Sequence, residues 1–270
     1  MTDVTSRRNP QIRLVRSLRR AKGRRETGLF MVEGLRHIGE LLASDFTAEL
    51  ILYAPDGLTS EYGAGLLDQA RRAGITLLST TEALLDDLSD KNSASGMIAL
   101  ARQTAGTFDR HRAAPAGWSV ALVTPQDPGN LGTILRTMDA FRAADLLLLD
   151  GGADPWQPTT VRASMGAIFT HPVVEGTFAE FTAWASANGR PIYGTSAHAA
   201  KDVRTLGAAP TPAVLLFGSE RDGLTPEQQA ACTQVVRIPI HGRGTSLNIA
   251  VAAGIALHNT IENQESILDS

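Results

Sequence analysis

Five uninterrupted apolar runs in the second half of this 270-residue chain constrain its fold more than any other feature. They are WSVALVTPQ (118–126), ADLLLLD (144–150), RPIYGTS (190–196), AVLLFGSE (213–220) and VVRIPI (235–240). None alternates apolar with polar residues. Each therefore predicts a strand covered on both faces, the pattern of a parallel sheet held between helical layers. Helical periodicity falls between the runs, over Leu131 to Arg142, Thr177 to Asn188 and Pro226 to Cys232, the last with Thr225 as N-cap and Pro226 at the first helical position. The longest helical stretch runs from Ser246 to about Glu262. The expected fold class is α/β, built on a parallel sheet.

The first half carries a smaller set of the same kind. GLFMVEG (28–34), AELILYAP (48–55), ITLLST (75–80) and MIALARQ (97–103) read as strands. LRHIGELLAS (35–44), LLDQARRAG (66–74) and Thr81 to Leu88 read as helices, the second ending on a glycine C-cap. TAGTFDRHRAAPAG (104–117) has no periodicity and is rich in small residues. These signals divide the chain into a small α/β domain at 1–104, a linker at 105–117 and a larger α/β domain at 118–270. Two domains suit this length.

Composition excludes several classes. No apolar run approaches the ~18 residues of a spanning helix, and the arginines near the N-terminus are not followed by the apolar core of a secretory signal. The single cysteine, Cys232, can form neither an internal disulfide nor a thiolate metal site. His37, His111, His171, His198, His241 and His258 have no metal-ligand spacing. The expectation is a cytoplasmic protein with no membrane segment and no metal. The net charge of −3 hides an asymmetry: in residues 1–25, Arg7, Arg8, Arg13, Arg16, Arg19, Arg20, Lys22, Arg24 and Arg25 face Asp3 alone. That arm carries +8 and leaves −11 on the rest of the chain. A basic arm on an acidic body is a handle for an anion such as nucleic acid, so its arginines are candidate RNA contacts.

Ligands of open parallel sheets bind beyond the carboxyl ends of the strands. Three glycine-bearing polar segments sit there: Asp127-Pro128-Gly129-Asn130-Leu131-Gly132, Gly218-Ser219-Glu220-Arg221-Asp222-Gly223, and His241-Gly242-Arg243-Gly244-Thr245-Ser246-Leu247-Asn248. Any α/β domain needs a glycine turn at such a place. Three together, each supplying different polar groups, point to a ligand site. No complete G-x-G-x-x-G follows a strand, and neither G-x-x-x-x-G-K-[ST] nor G-x-S-x-G occurs. Dinucleotide oxidoreductase, P-loop and nucleophile-elbow hydrolase readings lose their fingerprints.

In order and spacing, Asn130-Leu131-Gly132-Thr133-Ile134-Leu135-Arg136, LLFGSERDGL (215–224) and IPIHGRGTSLNIAVAAGIALHN (238–259) resemble the three motifs of the SpoU (TrmH) family in the SPOUT superfamily. NPQIRLVRSL and GLFMVEGLRHIGELL resemble the family's N-terminal substrate-binding domain, a fold like that of small ribosomal proteins. The resemblance implies S-adenosylmethionine-dependent RNA ribose 2′-O-methylation, with 23S ribosomal RNA as the favoured substrate. It also implies a trefoil knot in the C-terminal sheet and a homodimer through the C-terminal domain. By that similarity Gly218, Ile238 and Leu247 hold the adenosine part of the donor and Thr195 lies near its methionine tail. Arg136, Asn130, Glu220, Ser246 and Asn248 match the motifs' catalytic positions, and Arg162 in VRASMGA (161–167) matches an arginine that faces the RNA.

The chemistry asks for positioning and electrostatics, because the donor carries its own electrophile and the acceptor is a poorly nucleophilic ribose hydroxyl. Arg136 is the expected central residue. Its role is either base or, since arginine's pKa lies above about 12, a protonated grip on the phosphate and emerging alkoxide. Asn130 and Glu220 would orient it. The alternatives are a tRNA ribose methyltransferase, a non-catalytic ribosome-associated RNA-binding protein, and a small-molecule hydrolase using Ser219 with His258.

Overall fold

The computed structural model describes residues 2–89 and 96–260, and the side chains of residues 4–89 and 96–260. Within them the chain forms two compact units: residues 2–104 with Asp154–Thr170, and Ala105–Ala153 with the chain from His171 onward.

In chain order the first unit contributes β1 (Thr2–Asp3), α1 (Pro10–Ser17), α2 (Ala21–Thr27), β2 (Leu29–Glu33), α3 (Leu35–Leu42), β3 (Ala48–Tyr53), α4 (Glu61–Arg72), β4 (Thr76–Ser79), α5 (Glu82–Leu88) and β5 (Met97–Arg102). The sheet order is β1-β4-β3-β5-β2, with β5 antiparallel to both neighbours and the other pairs parallel. The arginine-rich first residues are folded helix. Asn9 caps α1 by accepting from the Gln11 N–H, Pro10 opens it, and Ile12, Val15 and Leu18 are fully buried. They join Leu29, Met31, Leu52, Leu85 and Leu88 in one core. Strand alternation sends Phe30 to the other face of β2.

The second unit begins with β6 (Gly106–Thr107), β7 (Trp118–Val123), α6 (Pro128–Ala140) and β8 (Leu146–Leu149). The chain then contributes Asp154–Thr170, with α7 (Pro158–Ala163), to the first unit. There Trp156 and Phe169 cover Phe30, with ring centroids 4.9 and 6.3 Å away. Arg24, only 2% exposed, donates from Nε and Nη2 to Asp154 Oδ2 at 2.8 and 2.6 Å and from Nη1 to the Leu18 carbonyl at 2.8 Å. That pair fastens the excursion.

From His171 the second unit resumes with β9 (Val173–Gly176), α8 (Phe178–Ala187), β10 (Ile192–Thr195), β11 (Lys201–Asp202), β12 (Ala213–Phe217), α9 (Pro226–Ala230), β13 (Gln234–Arg237) and α10 (Ile249–His258). Its sheet is parallel throughout, in the order β11-β13-β10-β12-β7-β8-β9-β6. β7, β8 and β12 are buried along their whole length, as their unbroken apolar sequences require. Phe181, Trp184 and Ala185 of α8 pack with Ala121, Val123, Leu147, Leu149 and Leu216, joined by Phe108. α6 and α10 pack together, and α10 also meets β12.

The strands expected at 118–126, 144–150, 190–196, 213–220 and 235–240 all form; the first four are trimmed at their ends, and the last runs from Gln234 and stops at Arg237, before Pro239. Helix α6 starts three residues earlier than periodicity suggests, because Asp127 accepts from the Asn130 N–H and Pro128 fits the first turn. Helix α10 starts later, at Ile249; the expected extension over Ile261 and Glu262 lies outside the described residues. Residues 105–117 are not bare connector: β6 pairs with β9, and Phe108 is buried in the second unit. Among the described residues no helix is long and apolar enough to cross a membrane.

Candidate active site

The second unit has a cavity of about 950 Å³ beyond the carboxyl ends of β7, β10, β12 and β13. Strand order reverses here: the chain runs outward from β7 to β9, then returns on the far side of β12. A crevice at such a switch point is where open α/β sheets bind ligands. Each strand end contributes a wall: Asp127 and Asn130 follow β7, Thr195 to His198 follow β10, and Gly218 to Leu224 follow β12. Ile238, Ile240 and Thr245 to Asn248 follow β13.

Glycine makes the β12 wall possible. A Cβ on Gly218 would lie 2.1 Å from the Gly223 carbonyl carbon, so only glycine lets the turn fold back on the strand end. Ser219 and Gly223 exchange backbone hydrogen bonds across that turn at 3.2 and 2.9 Å, and the Asp222 N–H donates to Ser219 Oγ at 3.0 Å. The Ser219 hydroxyl is thus engaged within the turn, while His258 stands at the end of α10 against the Phe141 ring. The turn also aims Glu220 at β7: its Oε2 accepts from the Gln126 N–H at 2.9 Å and its Oε1 from Asn130 Nδ2 at 2.8 Å.

Asn130 in turn accepts from Asn248 Nδ2 at 2.9 Å. Asn248 Oδ1 accepts from the Ala250 N–H at 2.9 Å and caps α10. The chain of bonds has a fixed direction. An ionised carboxylate only accepts, so Glu220 draws the Asn130 amide NH₂ and turns its oxygen to Asn248; the helix cap fixes Asn248 the same way. The three polar segments, far apart in sequence, meet in this network.

The other expected donor-site residues converge on the same cavity. Thr195, Gly218, Ile238 and Leu247 line it, as does Ser246, and Thr195 Oγ1 donates to the Leu216 carbonyl at 3.3 Å. Ile240 and Leu247 are large apolar side chains left 36% and 38% exposed on the cavity wall. The face of an aromatic ring could pack against them.

Arg136 is elsewhere. Six residues from Asn130, it lies about 240° around α6; it is exposed, does not line its own chain's cavity and has no ion-pair partner among the described residues. Arg162 is half-buried on α7 in the first unit, where its carbonyl lies 3.3 Å from His37 Nε2. Of the expected RNA contacts in the first unit, Arg8, Arg13, Arg19, Arg20 and Arg25 are exposed, and Arg7 and Arg16 bond to Asp87. Arg24 is committed to Asp154 and the Leu18 carbonyl, and its buried guanidinium has no face to offer a phosphate.

Gln126 and Ile240 were not among the expected site residues, and Asp127 was marked only as part of the first polar segment. Asp127 was legible, since Asp-Pro is a helix-start signature. The Gln126 contact is made by its backbone, which no sequence pattern marks.

The SpoU rRNA methylase family profile matches residues 117–258. The chain belongs to this family. An MRM3-like substrate-binding domain matches residues 9–99. The chain is 30% identical over 250 residues to the 23S rRNA (uridine(2479)-2′-O)-methyltransferase of Streptomyces viridochromogenes, covering 90% of this chain and 86% of that protein. It is 25% identical over 260 residues to the 23S rRNA (guanosine(2553)-2′-O)-methyltransferase of Bacillus subtilis (strain 168), covering 96% and 99%. Among solved structures, the AdoMet-bound rRNA methyltransferase from Sinorhizobium meliloti superposes with a TM-score of 0.86 at 31% identity, covering 96% of this chain and 97% of that one. As a SpoU family member the chain is a methyltransferase, and both expected domain types are present.

Proposed function

We propose that this SpoU family member transfers a methyl group from S-adenosylmethionine to a ribose 2′-hydroxyl of 23S ribosomal RNA in the cytoplasm. The observation that carries the reading is the Glu220–Asn130–Asn248 network on the rim of a cavity with two uncovered apolar side chains. The uridine and guanosine enzymes it resembles have ribosomal RNA and the 2′-oxygen in common, not the base.

When bound, the donor supplies a sulfonium methyl, already electrophilic. Ile238, Ile240 and Leu247 would hold its adenosine part together with the backbone at Gly218, and Thr195 would lie toward its methionine tail; all five line the cavity. Asn130, Glu220 and Asn248 are hydrogen-bonded to one another without substrate, so their dipoles are oriented before it arrives. Ser246 offers a hydroxyl at the same rim. Arg136 grips the phosphate beside the target ribose and stabilises the charge emerging on the 2′-oxygen.

A homodimer completes this site. Val251 is 51% exposed on a helix that is apolar all round, and with Gly254, Ile255 and Phe141 it lines a shallow groove between α10 and the end of α6. Such a face is suited to a second copy of the chain, and Arg136 on the open side of α6 would then serve the site across the interface. The loops around the cavity are read as the family's trefoil knot. Calorimetric titration with S-adenosylmethionine tests the core of this proposal. The wild type and Arg136→Ala should bind alike while only the wild type turns over; absence of binding by the wild type would defeat it.

A further inference from the structure

The arginines of the first unit do not form a uniform basic surface. Arg7 Nη2 bonds to Asp87 Oδ1 at 3.1 Å and Arg16 Nη2 to Asp87 Oδ2 at 2.6 Å, one guanidinium on each oxygen of a single carboxylate. Arg7 precedes α1, Arg16 is in its last turn, and Asp87 projects from α5. Arg8 and Arg13 are exposed nearby in sequence and have no carboxylate partner among the described residues. Two cations on one anion leave a surplus positive charge.

We propose that Asp87 is an internal stand-in for an RNA phosphate: it holds Arg7 and Arg16 converged on one anionic position, and a backbone phosphate displaces it when RNA docks. This rests on the reading of the chain as an RNA-modifying enzyme. The two non-bridging oxygens of a phosphodiester offer what the two carboxylate oxygens of Asp87 offer, a pair of acceptors for two planar forks. The geometry is therefore set before RNA arrives, which lowers the ordering cost of binding. Exposure makes the exchange feasible. The side chains of Arg7, Arg16 and Asp87 are 69%, 42% and 31% exposed, so water and salt already weaken their attraction. A phosphate brings the added gain of releasing the counterions condensed on RNA. Asp87 thereby tempers affinity for any stray phosphate without removing the seat.

Fluorescence anisotropy of a labelled RNA hairpin with the full chain at fixed low ionic strength tests this. Asp87→Asn should tighten binding by about three- to tenfold, and the gain should vanish in an Arg7→Ala/Arg16→Ala background. Asp86→Asn removes the same charge from the neighbouring exposed residue and should give a distinctly smaller gain. Equal gains from the two substitutions, or a gain that survives loss of both arginines, would reduce the effect to net charge and overturn the proposal. A wild-type chain that binds the hairpin, with Asp87→Asn no tighter, would overturn the stand-in alone. A wild-type chain that binds no hairpin would overturn the RNA reading itself, and the stand-in with it.

Discussion

The two ends of the second unit's sheet carry polar networks of similar chemistry and opposite character. At the amino end, Ser119 Oγ donates to Asp145 Oδ2 at 3.1 Å and Arg190 Nη1 donates to Ser119 Oγ at 3.1 Å. Arg190 also donates to the Ala114 carbonyl and lies over the Trp184 ring, while His111 Nε2 is 3.4 Å from Asp145. Ser119, Asp145 and Arg190 are 0%, 2% and 4% exposed. At the carboxyl end Glu220 and Asn248 are exposed and Asn130 half-buried. A charge closed off from water at one end has only its neighbours to satisfy it, and it serves the fold. Groups bonded to one another yet open to solvent at the other end are oriented for something that arrives.

The largest effect that would break this contrast is at the amino end. Arg190→Ala removes a buried guanidinium that reaches Asp145 through Ser119, leaving the Ser119 hydroxyl and the Ala114 carbonyl without their donor; it should cost about 1–3 kcal/mol, a fall in Tm of several degrees. The turnover of the molecules still folded should be unchanged. Calorimetric melting beside a methyl-transfer assay checks both; a stable variant with lost activity would exchange the roles of the two ends.

Glu220→Gln at the carboxyl end should do the reverse. The new amide can donate as well as accept, so Asn130 no longer has a fixed direction, and turnover should fall by about 10²-fold from misplacement. Its melting curve should match the wild type, because the partners it loosens are solvated. Normal kcat with a lowered Tm would show the network to be structural.

These pairings show how far the sequence could be read. Buried strands such as Leu146–Leu149 were legible because a parallel sheet leaves no polar face, and the three glycine-bearing segments announced a ligand site at their ends. Partners were not legible. Asn130 meets a residue 90 positions away and another 118 away, and local pattern holds no record of either. Arg24 sits in a run of exposed arginines and is set apart by its burial against Asp154, 130 residues on, and the Leu18 carbonyl. Arg136 has a motif to mark it, yet its side of α6 follows from where the helix packs.

The smallest effect concerns Cys232, half-buried behind the β10 end, where burial pushes its thiol up to about 11. Its reaction with iodoacetamide near neutral pH should be much slower than that of a free cysteine. The raised value also favours the folded state below the unfolded thiol's pKa of about 8.5. That contribution should be lost as pH climbs from there to about 11, visible as a falling Tm in alkaline buffer. Ordinary alkylation rates would show that this end of β10 opens to water.

The most direct measurement follows the methyl group itself. Purified protein is incubated with radiolabelled S-adenosylmethionine and 23S ribosomal RNA, naked and in particles, and the RNA is then hydrolysed in alkali. Methylation of a ribose 2′-oxygen removes the nucleophile that alkali uses to cut the adjoining phosphodiester. The label should therefore appear in alkali-resistant dinucleotides, and Glu220→Gln should nearly abolish it. Label recovered in mononucleotides would mean that a base is the acceptor, and no transfer to either form of the RNA would contradict the account.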